Sequence, residues 1–248
     1  MANYWKLVND VIHGSDILLL LLDARLVDET RNSEIEDKIR LENKILIYVI
    51  TKCDLVPMEQ LEKYKKELRP CVIISATQHL GTTILRDRIL IEATRAKLDK
   101  KMVVVGVLGY PNVGKSSLIN AMKGKHVAAT SILSGFTKSV QLVRADNRMM
   151  FLDTPGVIPY QEKDRIKHTL IGTIDFTKSK DPELAVIELI LKFPGRIEIF
   201  YGIEPNEDKE QTVEDIAFKK HMLKKGGNPD IVRTARMILK DWQKGLIP

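Results

Sequence analysis

Two short stretches hold residue types that do chemistry on a nucleotide. "GYPNVGKS", residues 109–116, fits the pattern G-x-x-x-x-G-K-[ST]. Gly109 and Gly114 let a backbone curl so that its N–H groups face phosphate oxygens, and the start of a following helix adds positive dipole. Val113, Gly114 and Ser117 belong to the same cradle. Lys115 brings a full charge to the β/γ-phosphates, and the Ser116 hydroxyl suits a magnesium ion. "TKCD", residues 51–54, suits a guanine base. The Asp54 carboxylate accepts from guanine N1–H and the exocyclic amine together. Adenine offers an acceptor at N1 and no 2-amine, so it would leave that carboxylate unpaired. The Lys52 stem can lie along the base plane, and Thr51 supplies a short hydroxyl tether where Asn is commoner. "SAT", residues 75–77, adds Ser75 and the Ala76 N–H, a donor for guanine O6.

Two further positions complete the set. "DTPG" (153–156) begins 44 residues after Gly109. Asp153 ends an apolar strand and suits Mg²⁺, and the Gly156 N–H suits a γ-phosphate. Thr137, in "SGFTKS", lies between the two and can complete the Mg²⁺ shell and sense that phosphate. Each of these signals alone reads as a turn, a helix cap or a loop residue. Together, each in the right strand–loop context, they point to a catalytic set of Lys115, Thr137 and Gly156.

Apolar runs of strand length position these residues. "DILLLLLDA" (16–24), "KILIYVITKCD" (44–54), "CVIISAT" (71–77) and "MVVVGVLG" (102–109) alternate with helical stretches near 33–43, 58–68, 82–98 and 115–124. Strands without polar alternation are covered on both faces, as in a mostly parallel sheet between helices. Strands at 139–146 and 148–153 flank Asn147 and predict an antiparallel hairpin on the sheet edge. The base stretch precedes the phosphate stretch by 58 residues, the reverse of the common order. In an open α/β sheet, ligands bind at the carboxyl ends of strands. Strand order along the chain is therefore immaterial, provided each strand has the right neighbour. A circular permutation, with "LDKK" (98–101) joining the old termini, keeps one site.

The pattern changes after about residue 175. Helices are predicted at 181–193, at 212–223 with Thr212 and Asp215 as a capping box, and at 231–244 with Asp230 as N-cap. The division is thus 1–175, an α/β domain, and 176–248, a small mostly helical domain. In the last helix Ile231, Ala235, Ile238, Leu239 and Trp242 share one side, and Arg233, Arg236, Lys240 and Lys244 the other. Residues 219–248 carry eight Lys/Arg against two Asp, whereas 177–218 carry five Lys/Arg against ten Asp/Glu. Charge is concentrated at the tail, either as a solvated face or as a surface for RNA.

The 248 residues are 44% hydrophobic, enough for a sizeable core, with a net charge of +6. That modest excess permits a nucleic-acid partner without requiring one. The two cysteines lack C-x-x-C spacing and fit a reducing cytoplasm rather than a metal site or disulfide framework. There is no signal-peptide profile, and the longest apolar run is too short for a bilayer. No membrane partner is expected.

These residues resemble the circularly permuted ribosome-assembly GTPases of the YlqF/RbgA type. The resemblance covers almost the whole chain. It is carried by "LLDARLVDETRN" (21–32), "TKCD", "SAT", "GYPNVGKSSLIN", "SGFTKS", "DTPGV" and the tail "LKKGGNPDIVRTARMILKDWQKGLIP" (223–248). It implies a circularly permuted P-loop GTPase domain followed by an RNA-binding helical domain. It further implies GTP/GDP and Mg²⁺ as cofactors, and hydrolysis coupled to maturation of the large ribosomal subunit. The partners would be the subunit precursor and its rRNA, with the protein monomeric off the ribosome. Val157 stands where ordinary GTPases place a water-orienting Gln, so turnover without a partner is expected to be slow. Some relatives carry a His in a short N-terminal segment; His13 falls within the first helical stretch, and the role is not transferred to it. Asn112 resembles the K⁺ ligand of related potassium-dependent GTPases, which would add it to the catalytic set, or else serves only the turn. Two alternatives stay open: a GTP-gated binding switch whose hydrolysis is incidental, and a GTPase acting on another RNA such as tRNA.

Overall fold

The chain opens with helix α1 (Ala2–Gly14) and strand β1 (Ile17–Asp23), followed by α2 (Val27–Thr30), α3 (Ser33–Leu41) and β2 (Ile45–Thr51). A 3₁₀ turn, Cys53–Leu55, leads into α4 (Met58–Glu67), β3 (Cys71–Ile73), α5 (Thr82–Arg95), β4 (Val103–Leu108) and α6 (Lys115–Met122). The hairpin β5 (Gln141–Arg144) and β6 (Met149–Asp153) comes next. Among the described residues there follow α7 (Arg165–Leu170), α8 (Pro182–Lys192), α9 (Arg196–Tyr201), α10 (Lys209–Lys219) and α11 (Ile231–Gln243). This computed structural model describes residues 2–98, 100–123, 141–153 and 165–248.

All seven residues of β1 are buried. Leu18, Leu20 and Leu22 point to one face, where they meet Val11 and Ile12 of α1, Ile35 and Ile39 of α3, and Leu61 and Tyr64 of α4. Each such leucine contributes about 1.5–3 kcal/mol by leaving water. A strand buried on both faces belongs in the middle of a sheet. The order is β3-β2-β1-β4-β6-β5, with β1 pairing in parallel with β2 and β4. Among the described strands only β5 runs antiparallel, at the edge, so the hairpin expected around Asn147 is present. Its turn is fixed by Asp146, whose Oδ1 accepts from the N–H groups of Arg148 (2.6 Å) and Met149 (3.0 Å).

Residues 96–102 join α5 to β4. Asp16 anchors the end of this join. Its Oδ1 accepts from Lys100 Nζ at 2.6 Å and its Oδ2 from the Val104 N–H at 3.0 Å, while its own N–H donates to Val104 O at 2.8 Å. The start of β4 is thereby held beside the start of β1, and the strand carrying the phosphate loop enters the sheet next to its neighbour.

The chain divides into two units at residues 162/163, earlier than the 175/176 boundary read from the sequence. The reason lies in α11. Its fully buried Trp242 donates from Nε1 to Leu170 O at 2.8 Å, and Gln243 Nε2 donates to the carbonyls of Thr169 (2.8 Å) and Ile174 (3.0 Å). Those long-range bonds claim the segment 165–174 for the helical unit. Phe193 meets the Trp242 ring with centroids 4.9 Å apart. The helix expected at 212–223 begins at Lys209 instead. Asp208 caps it, accepting from the N–H groups of Glu210 (2.9 Å) and Gln211 (3.1 Å), whereas Thr212 is buried and donates back to Asp208 O. The N-cap at Asp230 is as expected, accepting from Arg233 N–H at 3.2 Å.

Candidate nucleotide-binding site

The carboxyl ends of β1, β2, β3 and β4 bring the two key stretches together. Leaving β4, the chain turns at Gly109 with φ +146°, where a Cβ would lie 2.9 Å from Leu21 O. Only glycine suits both that φ and that approach. Gly114, with φ +107°, starts α6 without a side-chain cap. The first-turn N–H groups of a helix have no intrahelical acceptor, so they and the dipole suit an anion. Lys115 is buried and its ammonium donates to the carbonyls of Gly109 (2.9 Å) and Tyr110 (2.6 Å). Ser116 follows in the first turn, half-buried, and Ser117 is exposed. Asn112 is exposed and left-handed, φ 62°, a conformation that Asn tolerates better than most residues.

The base stretch begins where β2 ends. Thr51 is 2% exposed, and its Oγ1 lies 2.5 Å from Val113 O and 3.0 Å from Leu22 O. One hydroxyl proton is shared between a phosphate-loop carbonyl and the neighbouring strand, so the tether expected of Thr51 has a definite anchor in the loop. Lys52 is left-handed, φ 59°, and its ammonium sits 2.7 Å from Asp23 Oδ2. The Cys53 N–H donates to Ile74 O at 3.1 Å, which fixes the turn against β3. Asp54 is exposed within that turn. Ser75 is fully buried, its Oγ accepting from Gln78 N–H at 3.2 Å, and leaves Ala76 half-buried at the rim.

Asp23 and Arg25 belong to the "LLDARLVDETRN" stretch, which marks the family resemblance without showing a chemical role, and form a part of the wall. Burial alone would raise the Asp23 pKa, but the Lys52 and Arg25 charges outweigh it and hold the carboxyl well below the usual range. Burial lowers the Lys52 pKa, and the Asp23 charge opposes that. Burial, with the Asp54 charge next, pushes the Cys53 thiol up, which disfavours the thiolate.

Asp153 ends β6, whose Leu152 pairs with Gly106 of β4. That places it one strand from the phosphate loop. Thr137, Gly156 and Val157 lie outside the described residues. His13 closes α1 beside the start of β1, six residues or roughly 20 Å of strand from the site, and faces Glu42 at 3.4 Å. Among the described residues, no group of three or more His, Cys, Asp or Glu could hold a metal ion. The expected magnesium set is of another kind, hydroxyls with a single carboxylate.

A base motif and a phosphate loop in reversed chain order, joined at the carboxyl edge of a mostly parallel sheet, define a circularly permuted P-loop GTP-binding protein. The chain belongs to the RsgA GTPase family, whose model matches residues 38–162 and so takes in both stretches in this order. A second model, described as 50S ribosome-binding GTPase, matches residues 104–223. An uncharacterized GTP-binding protein of Methanocaldococcus jannaschii is 40% identical over 245 residues, covering 97% of this chain and 65% of that protein. Nucleolar GTP-binding protein 2 of Neurospora crassa is 34% identical over 253 residues, covering 98% and 41%. Its Saccharomyces cerevisiae namesake is 33% identical, covering 98% and 52%. The chain therefore spans between 41% and 65% of these relatives' lengths. The fold is that of GNP-bound YlqF from T. maritima, with a TM-score of 0.67 at 22% identity over 97% of this chain and 93% of that one.

Proposed function

We propose that this protein binds and hydrolyses GTP, and that its nucleotide state governs its hold on the RNA of a large ribosomal subunit precursor. The observation that carries the RNA half is the surface of α11. Ala235, Ile238, Leu239 and Trp242 are buried, while Arg233, Arg236, Lys240 and Lys244 are exposed. Lys219, Lys220, Lys224 and Lys225 are exposed as well. The four α11 cations share one helix face, with no acid in the stripe, and such a stripe suits a phosphate backbone. Two findings support the ribosomal half: the description of one matching family and the nucleolar names of the relatives.

In this reading Lys115 and the α6 amino terminus stabilise charge on the phosphates. Ser116 and Asp153, with Thr137, hold Mg²⁺. Asn112 holds K⁺, which would supply positive charge near the phosphates. Thr51, Lys52, Asp54, Ser75 and Ala76 receive the guanine. Val157 orients no water, so hydrolysis is slow until the precursor completes the site. The two free cysteines favour a reducing, cytoplasmic address, and the protein acts as a monomer until it docks. Among the described residues no helix is long and apolar enough to cross a membrane.

Co-sedimentation with large-subunit precursor particles, in GTP and in GDP, tests this. The expected result is nucleotide-dependent association that weakens with salt. Replacing Arg233, Arg236 and Lys240 by Ala should weaken association and leave GTP affinity nearly unchanged. The salt slope should fall by roughly one for each cation that had met a phosphate. Unaltered particle affinity and slope in a folded triple variant would move the RNA surface elsewhere. Association indifferent to nucleotide would end the coupling, and preference for tRNA would change the substrate.

A further inference from the structure

Asp23 and Arg25 sit in the "LLDARLVDETRN" stretch, which carries the family resemblance but no assigned nucleotide role, and they are only 3% and 7% exposed in the wall of the site. Asp23 Oδ1 accepts from the Arg25 backbone N–H (3.0 Å) and from Nε (3.1 Å). Its Oδ2 accepts from Arg25 Nη2 (3.0 Å) and from Lys52 Nζ (2.7 Å). Behind it, the Asp23 N–H donates to Thr30 Oγ1 (3.0 Å), which donates to Leu26 O (2.6 Å). The carboxylate cannot rotate without breaking the planar Arg25 fork, so Oδ2 stays aimed at Lys52.

We infer that Asp23 is a positioning residue for base recognition: held by Arg25, it fixes the Lys52 side chain in the posture that receives the guanine ring. The inference rests on the guanine reading of Lys52. A lysine stem has four rotatable bonds and, when solvated, must be ordered by the incoming base. Here the ordering is done beforehand. Lys52 is already left-handed, its side chain is only 22% exposed, and its ammonium has a buried partner one strand away. Removing such preorganisation weakens a ligand by roughly two- to tenfold per side chain immobilised. If the trio merely filled the wall, Asp23 would matter for stability, and its effect on nucleotide would not depend on Lys52.

The test is a double-mutant cycle on the full chain, reading GDP affinity by fluorescence of a labelled GDP, with thermal melts alongside. Asp23→Asn should weaken GDP roughly two- to tenfold in a folded protein. Lys52→Met should weaken it at least as much, and the double variant should be no weaker than Lys52→Met alone. Wild-type affinity in Asp23→Asn, or the same loss in both backgrounds, would overturn the inference. Should Asp23→Asn not fold, Arg25→Gln keeps the carboxylate but frees it to turn, and the same cycle applies with the same criteria. In the wild type, a slowly exchanging Lys52 ammonium signal in nitrogen-resolved NMR is expected without nucleotide; its absence would also overturn the inference. A parallel arm with Asp54→Asn separates the two readings. If that variant fails to turn from guanine to xanthine nucleotides, the base site itself is misassigned; if it turns while the cycle is additive, only the role of Asp23 falls.

Discussion

Replacing Thr51 by Val removes one hydroxyl and almost no volume, at the point where the base stretch touches the phosphate loop. The side chain is 2% exposed, so water cannot take the place of the missing donor. The Val113 carbonyl, 2.5 Å from Oγ1, would face a methyl group instead. A buried acceptor stripped of its donor costs about 1–3 kcal/mol. At about 2–4 °C per kcal/mol for a unit of this size, the melting temperature should fall by roughly 2–12 °C. The loop can escape the methyl by moving off Thr51, and nucleotide must then draw it back. If all of that cost reappears on binding, GDP affinity falls by roughly 5- to 150-fold. Thr51→Ser keeps the hydroxyl and should restore most of both quantities. Melting followed by circular dichroism and GDP titration by calorimetry would read them. A Thr51→Val protein that melts within about 1 °C of wild type and binds GDP within about twofold would refute the tether, since an unpaired buried carbonyl costs more than that.

Gly106→Ala should destabilise the first unit by about 1–3 kcal/mol through overpacking. Its Cβ would lie 2.3 Å from Ser15 Oγ and 2.9 Å from Val11 Cγ1, so α1 must shift; a thermal melt equal to wild type would contradict this. Acid stability should depend on Asp23. Its folded pKa lies below the unfolded value of about 3.9, so its contribution is complete above that pH and is lost as pH falls through the folded value. Thermal melts from about pH 5 down to about pH 2 should therefore lose stability more steeply in wild type than in Asp23→Asn, and parallel curves would deny the ion pair. Hydrolysis should be faster in K⁺ than in Na⁺ if Asn112 is a ligand; equal phosphate release in both, with and without particles, would leave Asn112 a turn residue.

Much of the sheet was legible because β1 and β4 are buried almost throughout, and a run such as ILLLLL has no polar residue to misplace. The site followed from that, since a motif at the end of a recognisable strand has its position set by the sheet. What local pattern could not carry was partnership at long range. Asp23 and Lys52 are 29 residues apart, and Thr51 and Val113 are 62 apart. The sequence names the side chains but not the meeting. The same physics moved the boundary between units, because residues 165–174 read as the end of the α/β domain until Trp242 and Gln243 claim their carbonyls. Helices α7 and α9 are six residues each, too short to show a 3.6-residue period. Thr212-x-x-Asp215 imitates a helix start one turn inside α10, where Asp208 does the capping.

If the permuted chain assembles one site, Asp54 should make that site read guanine. The direct measurement is competition for labelled GDP by GTP, GDP, ATP and XTP, on wild type and on Asp54→Asn. In wild type, GTP and GDP should displace the label and ATP should not, because adenine leaves the carboxylate unpaired. In Asp54→Asn the side-chain amide donates where the carboxylate only accepted. Preference should move to XTP, whose 2-oxygen needs a donor. Comparable displacement by ATP and GTP in wild type, or an unchanged preference for guanine in the variant, would mean that Asp54 does not read the base.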